Sequence, residues 1–216
     1  DPLTGLLNRA AFEQAVAMDI NDPAAPPMAL VYLDLDNVAL INDTSGHAAG
    51  DDVIRGVGGL LEGWRQPGDQ VAHVSGDEFI VLLRNCSAMV AEDRIRSLLA
   101  DIERSRTRWE DRFLSTTASA GLVPFLPGQA RFGELLSQAD AACMSAKELG
   151  GNRVHLTRLH QGGRDSHAAA MHSAVRLRDA IEQGRIELHA QCIRPLQRDA
   201  MPGLHVELLL RARDDA

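Results

Sequence analysis

Two short stretches, Asp34-Leu35-Asp36 and Asp77-Glu78, hold acids at a spacing that can do chemistry. The first pair closes a continuous apolar run, Met28 to Leu33, whose brevity and flanks read as a buried central strand. The second lies in Ser75-Gly76-Asp77-Glu78, a tight turn between the strand-like runs Gln70 to Val74 and Phe79 to Leu83. Those runs read as a hairpin with the four polar residues at its tip. Side chains alternate along a strand, so Asp34 and Asp36 share one face and Leu35 takes the other. Carboxylates are hard oxygen ligands, and Mg²⁺ accepts one or two of them together with substrate phosphates. Gly76 allows a positive φ and a close approach of phosphate to the backbone. One such acid is most simply a solvated charge; four at two converging element ends favour a metal site.

A second polar stretch runs from Asn42 to Asp51 through Asp-Thr-Ser-Gly-His-Ala-Ala-Gly. A carboxylate can accept the N1–H and exocyclic amine of guanine, and an amide can bond the other edge. Read locally, Asn42 is a turn residue, Asp51 a first-turn helix acid and His47 a cap or surface residue. Lys147, near a helix end, is routine there for dipole reasons.

These residues need elements to hold them. A short helix is expected from about Ala10 to Met18 and a turn cluster at Asn42–Gly46. Val53, Val57, Leu60, Leu61 and Trp64 stripe the next helix; Ile95, Leu98, Leu99 and Ile102 another. Leu114 to Val123 reads as a strand. Phe132, Leu135, Leu136, Ala139 and Cys143 stripe a helix stopped by Gly150-Gly151, before a short strand at Val154 to Leu156. Strands and helices alternate, giving an α/β class. After a break at Gln161-Gly162-Gly163, a polar helix to about Gln183 and strands at Ile186–Ile193 and Leu204–Leu210 are expected.

Composition narrows the function. The 216 residues are 45% hydrophobic, enough for a core. Net charge is −8 and aromatics are 4%, which argues against nucleic acid as a partner. Cys86, Cys143 and Cys192 are widely spaced without a CxxC pair, which fits a reducing, cytoplasmic compartment. No apolar run approaches the ~20 residues of a membrane helix. The opening Asp-Pro-Leu-Thr-Gly looks like a cut at a domain edge, so the parent protein can still be membrane-attached through an upstream sensory region.

Six islands then fit together: Asp1-Pro-Leu-Thr-Gly-Leu-Leu-Asn-Arg9, Tyr32-Leu-Asp-Leu-Asp36, Ile41-Asn-Asp-Thr-Ser-Gly-His47, Gly50-Asp51, Ser75-Gly-Asp-Glu-Phe79, and Ala139-Asp-Ala through Ala146-Lys147 to Gly151-Asn-Arg-Val154. Their order and spacing resemble a GGDEF domain. Residues 184–216 resemble the start of an EAL domain, with Gln191 as its early glutamine and Glu207 in Glu-Leu-Leu-Leu-Arg211 as its metal-binding glutamate. The resemblance implies a GGDEF domain at 1–158, a connecting helix at 159–183 and an EAL fragment at 184–216. It implies a central, mostly antiparallel sheet flanked by helices, the palm-like fold of nucleotide cyclases, and two strands of an incomplete EAL barrel. It also implies diguanylate cyclase chemistry: two GTP become cyclic di-GMP and two pyrophosphates, with two domains facing each other. Asp34, the Leu35 carbonyl and Asp77 would hold Mg²⁺, two ions being expected with GTP and Mn²⁺ being the alternative. Asp77 and Glu78 are the catalytic positions, Glu78 lying beside the 3′-hydroxyl. Asn37, Asn42, Asp51, Gly76 and Lys147 are the nucleotide positions, with Asn42 and Asp51 on guanine and Lys147 on phosphate. GTP, a second copy and the rest of the EAL domain are the implied partners.

The departures matter too. Ser75 stands for the first Gly of the signature, Ala39 for a usual Lys, His73 for a usual Arg, Gly151 for a usual Arg and Met144 for a usual aromatic. Three basic positions near the triphosphate are thus missing or weakened. Each charge-assisted contact is worth roughly 1.5–3 kcal/mol, so a weak cyclase, or a GTP-binding regulator of the adjacent EAL domain, is expected. The family's feedback motif Arg-x-x-Asp reads Gln66-Pro-Gly-Asp69, so no feedback site of that kind is expected. Two strands cannot close a (β/α)₈ barrel, so the EAL fragment is expected to be inactive.

Overall fold

The computed structural model describes residues 1–159, 186–193 and 205–212. It divides into two units, Asp1–Gln161 and Gly162–Ala216. The first is built around β1 (Met28–Asp36), whose side chains are buried in alternation on both faces. β1 runs through both aspartates instead of ending before them. The reason is backbone pairing on both sides: Asp34 lies opposite Glu78, and Asp36 opposite Thr117.

α1 (Arg9–Asn21) starts where the Asn8 side chain accepts from the Ala11 N–H, and buries Phe12, Val16 and Ile20 at helical spacing. α2 (Val38–Ser45) replaces the expected turn cluster. Asn42 to Ser45 are helical, and the Thr44 hydroxyl bonds back to the Leu40 carbonyl at 2.7 Å rather than breaking the helix. The break shrinks to Gly46, at φ 86°, before α3 (His47–Trp64). β2 (Gln70–Ser75) and β3 (Glu78–Leu83) form the expected hairpin, but its tip is only Gly76-Asp77; Glu78 belongs to β3.

α4 (Ala88–Arg104) is capped by Ser87 and buries Ile95, Leu98, Leu99 and Ile102. The strand expected from Leu114 begins later. Leu114 instead ends a small hairpin, β4 (Thr107–Trp109) with β5 (Arg112–Leu114), turned at Glu110 with φ 51°. Thr116 then ties its hydroxyl to the Asp36 carbonyl at 2.7 Å, and β6 (Thr117–Phe125) starts beyond it. α5 (Phe132–Glu148) and β7 (Val154–Leu156) complete the unit.

The sheet order is β2-β3-β1-β6-β7, antiparallel throughout except for the parallel β6–β7 pair. One face packs Val31, Leu33 and Leu35 against Val57, Leu61, Ile95 and Leu98 of α3 and α4. The other packs Leu30 and Tyr32 against Phe12 and Val16 of α1 and Leu135, Ala139 and Cys143 of α5. Alternation therefore sends Asp34 and Asp36 to the α5 side. Gly121 of β6 sets how closely α5 approaches: a Cβ there would lie 1.9 Å from the Ala139 carbonyl and 2.4 Å from the Cys143 nitrogen.

The second unit contributes β8 (Ile186–Ile193) and β9 (His205–Ala212), an antiparallel pair that sets Gln191 opposite Glu207. An antiparallel pair by itself does not show a (β/α)₈ barrel, whose regular strands pair in parallel. The expected connecting helix at 159–183 lies outside the described residues, Leu159 apart. Among the described residues, no helix is long and apolar enough to cross a membrane.

Gly121→Ala is expected to destabilise the first unit by about 3 kcal/mol, because the added methyl meets helix backbone that cannot rotate away. Urea denaturation monitored by far-UV circular dichroism checks this; an unchanged midpoint contradicts the close packing of α5.

Candidate functional site

The acids meet where β1 leaves the sheet beside the β2–β3 turn. Asp34 and Glu78 are direct cross-strand partners, and the Leu35 N–H donates to the Asp77 carbonyl at 3.0 Å. The ladder thus brings together Asp34, Leu35, Asp77 and Glu78 from two separate stretches. Gly76 sits at φ 50°, the conformation for which glycine suits the turn.

α5 supplies the countercharge. Lys147 Nζ lies 2.5 Å from Asp34 Oδ1. Burial raises the Asp34 pKa, and the carboxylates of Asp77 and Glu78 raise it further against the pull of Lys147. Burial works to lower the Lys147 pKa, but the hydrogen bond and charge of Asp34 outweigh it and the net shift is upward. Cys143, on the same helix, is pushed up to about 12 by burial and then by Asp34, so it is an inert packing thiol.

Asp36 does a different job from Asp34. Its Oδ1 accepts from Ser119 Oγ at 2.8 Å, and its Oδ2 accepts from Thr117 Oγ1 at 2.7 Å and the Asn152 N–H at 3.1 Å. It staples β1 to β6 and to the loop after α5. Gly151, at φ 69°, sits with its Cβ position 3.4 Å from that carboxylate. Arg153, close to the missing arginine, turns its Nε back to the Gly151 carbonyl at 3.1 Å.

An open cleft of about 460 Å³ is lined by Asp36, Asn37, Thr117, Lys147, Gly150, Gly151 and Asn152. Asn37 holds the left-handed conformation that turns β1 into α2. Asn42 and Asp51 lie on α2 and α3. Asn42 Oδ1 is buried without a hydrogen-bond partner, wedged where a Cβ on Gly50 would come within 2.0 Å. Asp51 is exposed one residue further on.

His73 lies in β2. It is buried; its Nε2 meets the Gly76 carbonyl at 2.9 Å, and its Nδ1 lies 3.1 Å from Asp1 Oδ1. It ties the signature turn to the N-terminal segment. Ala39 is exposed on α2 and Met144 is exposed on α5. Sequence reasoning missed the hydroxyl on Glu78. Ser75 Oγ donates to Glu78 Oε2 at 2.8 Å. Burial, then the nearby Glu78, pushes the Tyr32 pKa well above its ordinary value. Tyr32 shares a strand face with Asp34 by its two-residue spacing, a signal present in the sequence. Asp69 is buried and saturated, accepting from the Gln66 and Arg84 N–H groups and pairing with Arg94 at 2.6 Å; Arg94 in turn stacks on Trp64.

Among the described residues, no three His, Cys, Asp or Glu side chains form a closed metal cage. The donor set nonetheless suits a hard cation. Asp34, Asp77 and Glu78 repel one another beside one ammonium group, and few protein ligands are what a phosphate-bridged Mg²⁺ takes.

Residues 1–153 match the family described as "Diguanylate cyclase, GGDEF domain". The chain belongs to this family. It is 34% identical over 173 residues to the probable diguanylate cyclase DgcE of Escherichia coli K12, covering 79% of this chain and 16% of that protein. It is 31% identical over 218 residues to the cyclic di-GMP phosphodiesterase PdeB of Shewanella oneidensis, covering 99% of this chain and 25% of that protein. The coiled coil and GGDEF domain of Caulobacter crescentus DgcB, solved in complex with c-di-GMP, superposes with a TM-score of 0.67 at 26% identity, covering 73% of this chain and 84% of that one. This chain spans a quarter or less of the two curated relatives.

The raised pKa of Asp34 gives a signed prediction. The folded state favours its protonated form, so that stabilisation is present at low pH and lost as pH rises through the folded value. At pH 7 the ionised carboxylate is therefore a cost. Asp34→Asn is expected to raise the melting temperature by roughly 2–4 °C. Scanning calorimetry checks this; a drop in the melting temperature contradicts the strained-acid reading.

Proposed function

We propose that the first unit is a slow, metal-dependent diguanylate cyclase acting in cyclic di-GMP signalling. One observation carries this reading: acids from β1 and the β2–β3 hairpin are paired across the ladder, with Lys147 as the countercharge. Asp34, the Leu35 carbonyl and Asp77 would hold Mg²⁺ or Mn²⁺. When bound, the metal neutralises triphosphate charge as phosphorus is attacked. The chain's own residues do the rest. The unpartnered Asn42 oxygen and exposed Asp51 take guanine from two helices. Lys147, now paired with Asp34, would contact phosphate. Asn37 and Gly76 give the phosphates backbone to approach. Glu78 receives the proton of the 3′-hydroxyl. Two copies must face each other, because each supplies one GTP and the product is cyclic.

Ala39, Gly151 and the turned-back Arg153 support a low rate, since the phosphate clamp rests on Lys147. Because GTP is the substrate, we place the reaction in the cytoplasm. We further propose a GGDEF domain at 1–158, a connecting segment at 159–183 and the start of an EAL domain at 184–216, with Glu207 at its metal position. The motif likeness of Gln191 and Glu207 is what supports the last part of that division. As it stands the EAL piece is expected to be inactive, and the remainder of that domain and an upstream sensory region are the implied partners.

The chain is incubated at high concentration with GTP and Mg²⁺, product is resolved by chromatography, and GTP affinity is measured in parallel. Cyclic di-GMP is expected. Affinity without product would make the domain a GTP-binding regulator, and neither would reduce it to a dimerisation scaffold. The saturated Asp69 adds a second expectation: titration calorimetry finds no cyclic di-GMP site there. A crystal showing a cyclic di-GMP dimer on Asp69 would overturn it.

A further inference from the structure

We infer, resting on the cyclase reading, that Arg153 is a second cation for the triphosphate: freed from the Gly151 carbonyl, its guanidinium joins Lys147 on the outer phosphates. The side chain is exposed, and Nε donates to the Gly151 carbonyl at 3.1 Å. A guanidinium offers a fork of further N–H donors, and these are unspent here. Among the described residues Arg153 makes no ion pair, whereas Arg96, which lines the same small cavity, is paired with Glu92. A charged fork with spare donors and no counterion is fitted to take an anion, and a phosphate matches its geometry.

Its place gives that charge a use. Arg153 Nη2 lies 3.5 Å from where a Cβ on Gly150 would stand, and Gly150 is a wall of the cleft of about 460 Å³ that Lys147 also lines. Gly150 has φ 112°, where an L side chain is strained, so the residue between the guanidinium and the cleft stays bare. Asn152 lines both this cleft and the adjoining cavity of about 390 Å³ on which Arg153 opens. Asp36 is the acid in the cleft wall, and its oxygens are already filled by Ser119, Thr117 and Asn152, so it does not compete for the guanidinium. A triphosphate on Lys147 would bring several negative charges to a wall that Arg153 touches. Release gives up one neutral hydrogen bond and gains a charge-assisted one, which is the stronger of the two. The loop need not move, since Asp36 holds it by the Asn152 N–H; only side-chain torsions of Arg153 change. Having to leave the carbonyl first fits a low rate.

The test uses the full 216-residue chain and its Arg153→Ala, Arg153→Gln and Arg153→Lys variants. Affinity for a non-hydrolysable GTP analogue with Mg²⁺ is measured by titration calorimetry. The glutamine variant keeps an N–H for the Gly151 carbonyl but no charge, and the lysine variant keeps the charge without the planar fork. Arg153→Ala and Arg153→Gln are expected to weaken binding by about tenfold each, with Arg153→Lys within about threefold of the parent. Unchanged affinity in Arg153→Ala overturns the assignment. So does a loss that Arg153→Gln restores, which would make Arg153 a tie for the loop, and so does a loss that Arg153→Lys shares in full. Each of these leaves the cyclase reading standing, because the parent chain still binds the analogue. No binding by the parent chain overturns the cyclase reading, and the assignment falls with it.

Discussion

Asp34 and Glu78 face each other across the β1–β3 ladder, and like charges so placed repel. Burial of Asp34 and the nearby Asp77 sharpen that repulsion. A sheet selected only for stability would not set acids in this register. Much of the surrounding architecture relieves the conflict. α5 carries Lys147 to within 2.5 Å of Asp34, and it reaches that distance because Gly121 lets the helix press onto β6. The result is a site where several acids share one countercharge.

The two aspartates of β1 divide the labour. Asp36 is spent on structure, its oxygens filled by Ser119, Thr117 and Asn152. Asp34 has only its ion pair with Lys147. Gly151 belongs to the Asp36 staple: its positive φ lets the loop close on the carboxylate, and an arginine at that φ would be strained. The loss of a basic residue there is thus tied to the way this loop is closed. His73 likewise has a place in the fold, bridging Gly76 and Asp1.

Much of this was legible in the sequence. The apolar run of β1, the striped helices and the hairpin announced themselves through hydrophobic period and turn residues. The six islands fixed which acids meet, something that local pattern cannot do because Asp34 and Asp77 are far apart in the chain. What stayed hidden was hidden for physical reasons. Asn42 to Ser45 look like a turn because each side chain competes with the backbone; Thr44 resolves that competition by bonding within the helix. The β4–β5 hairpin lies in a charged stretch with no alternation of apolar residues. The Ser75 contact to Glu78 depends on a one-residue bulge, which no periodicity reveals.

The central claim is that a cation and a guanine nucleotide take over the charge balance now held by Lys147. A crystal structure with Mg²⁺ and a non-hydrolysable GTP analogue tests it most directly. The account predicts metal on Asp34, the Leu35 carbonyl and Asp77, guanine between Asn42 and Asp51, and Lys147 moved from Asp34 to phosphate. A nucleotide bound elsewhere, or Lys147 still on Asp34 with no metal beside the acids, would contradict it.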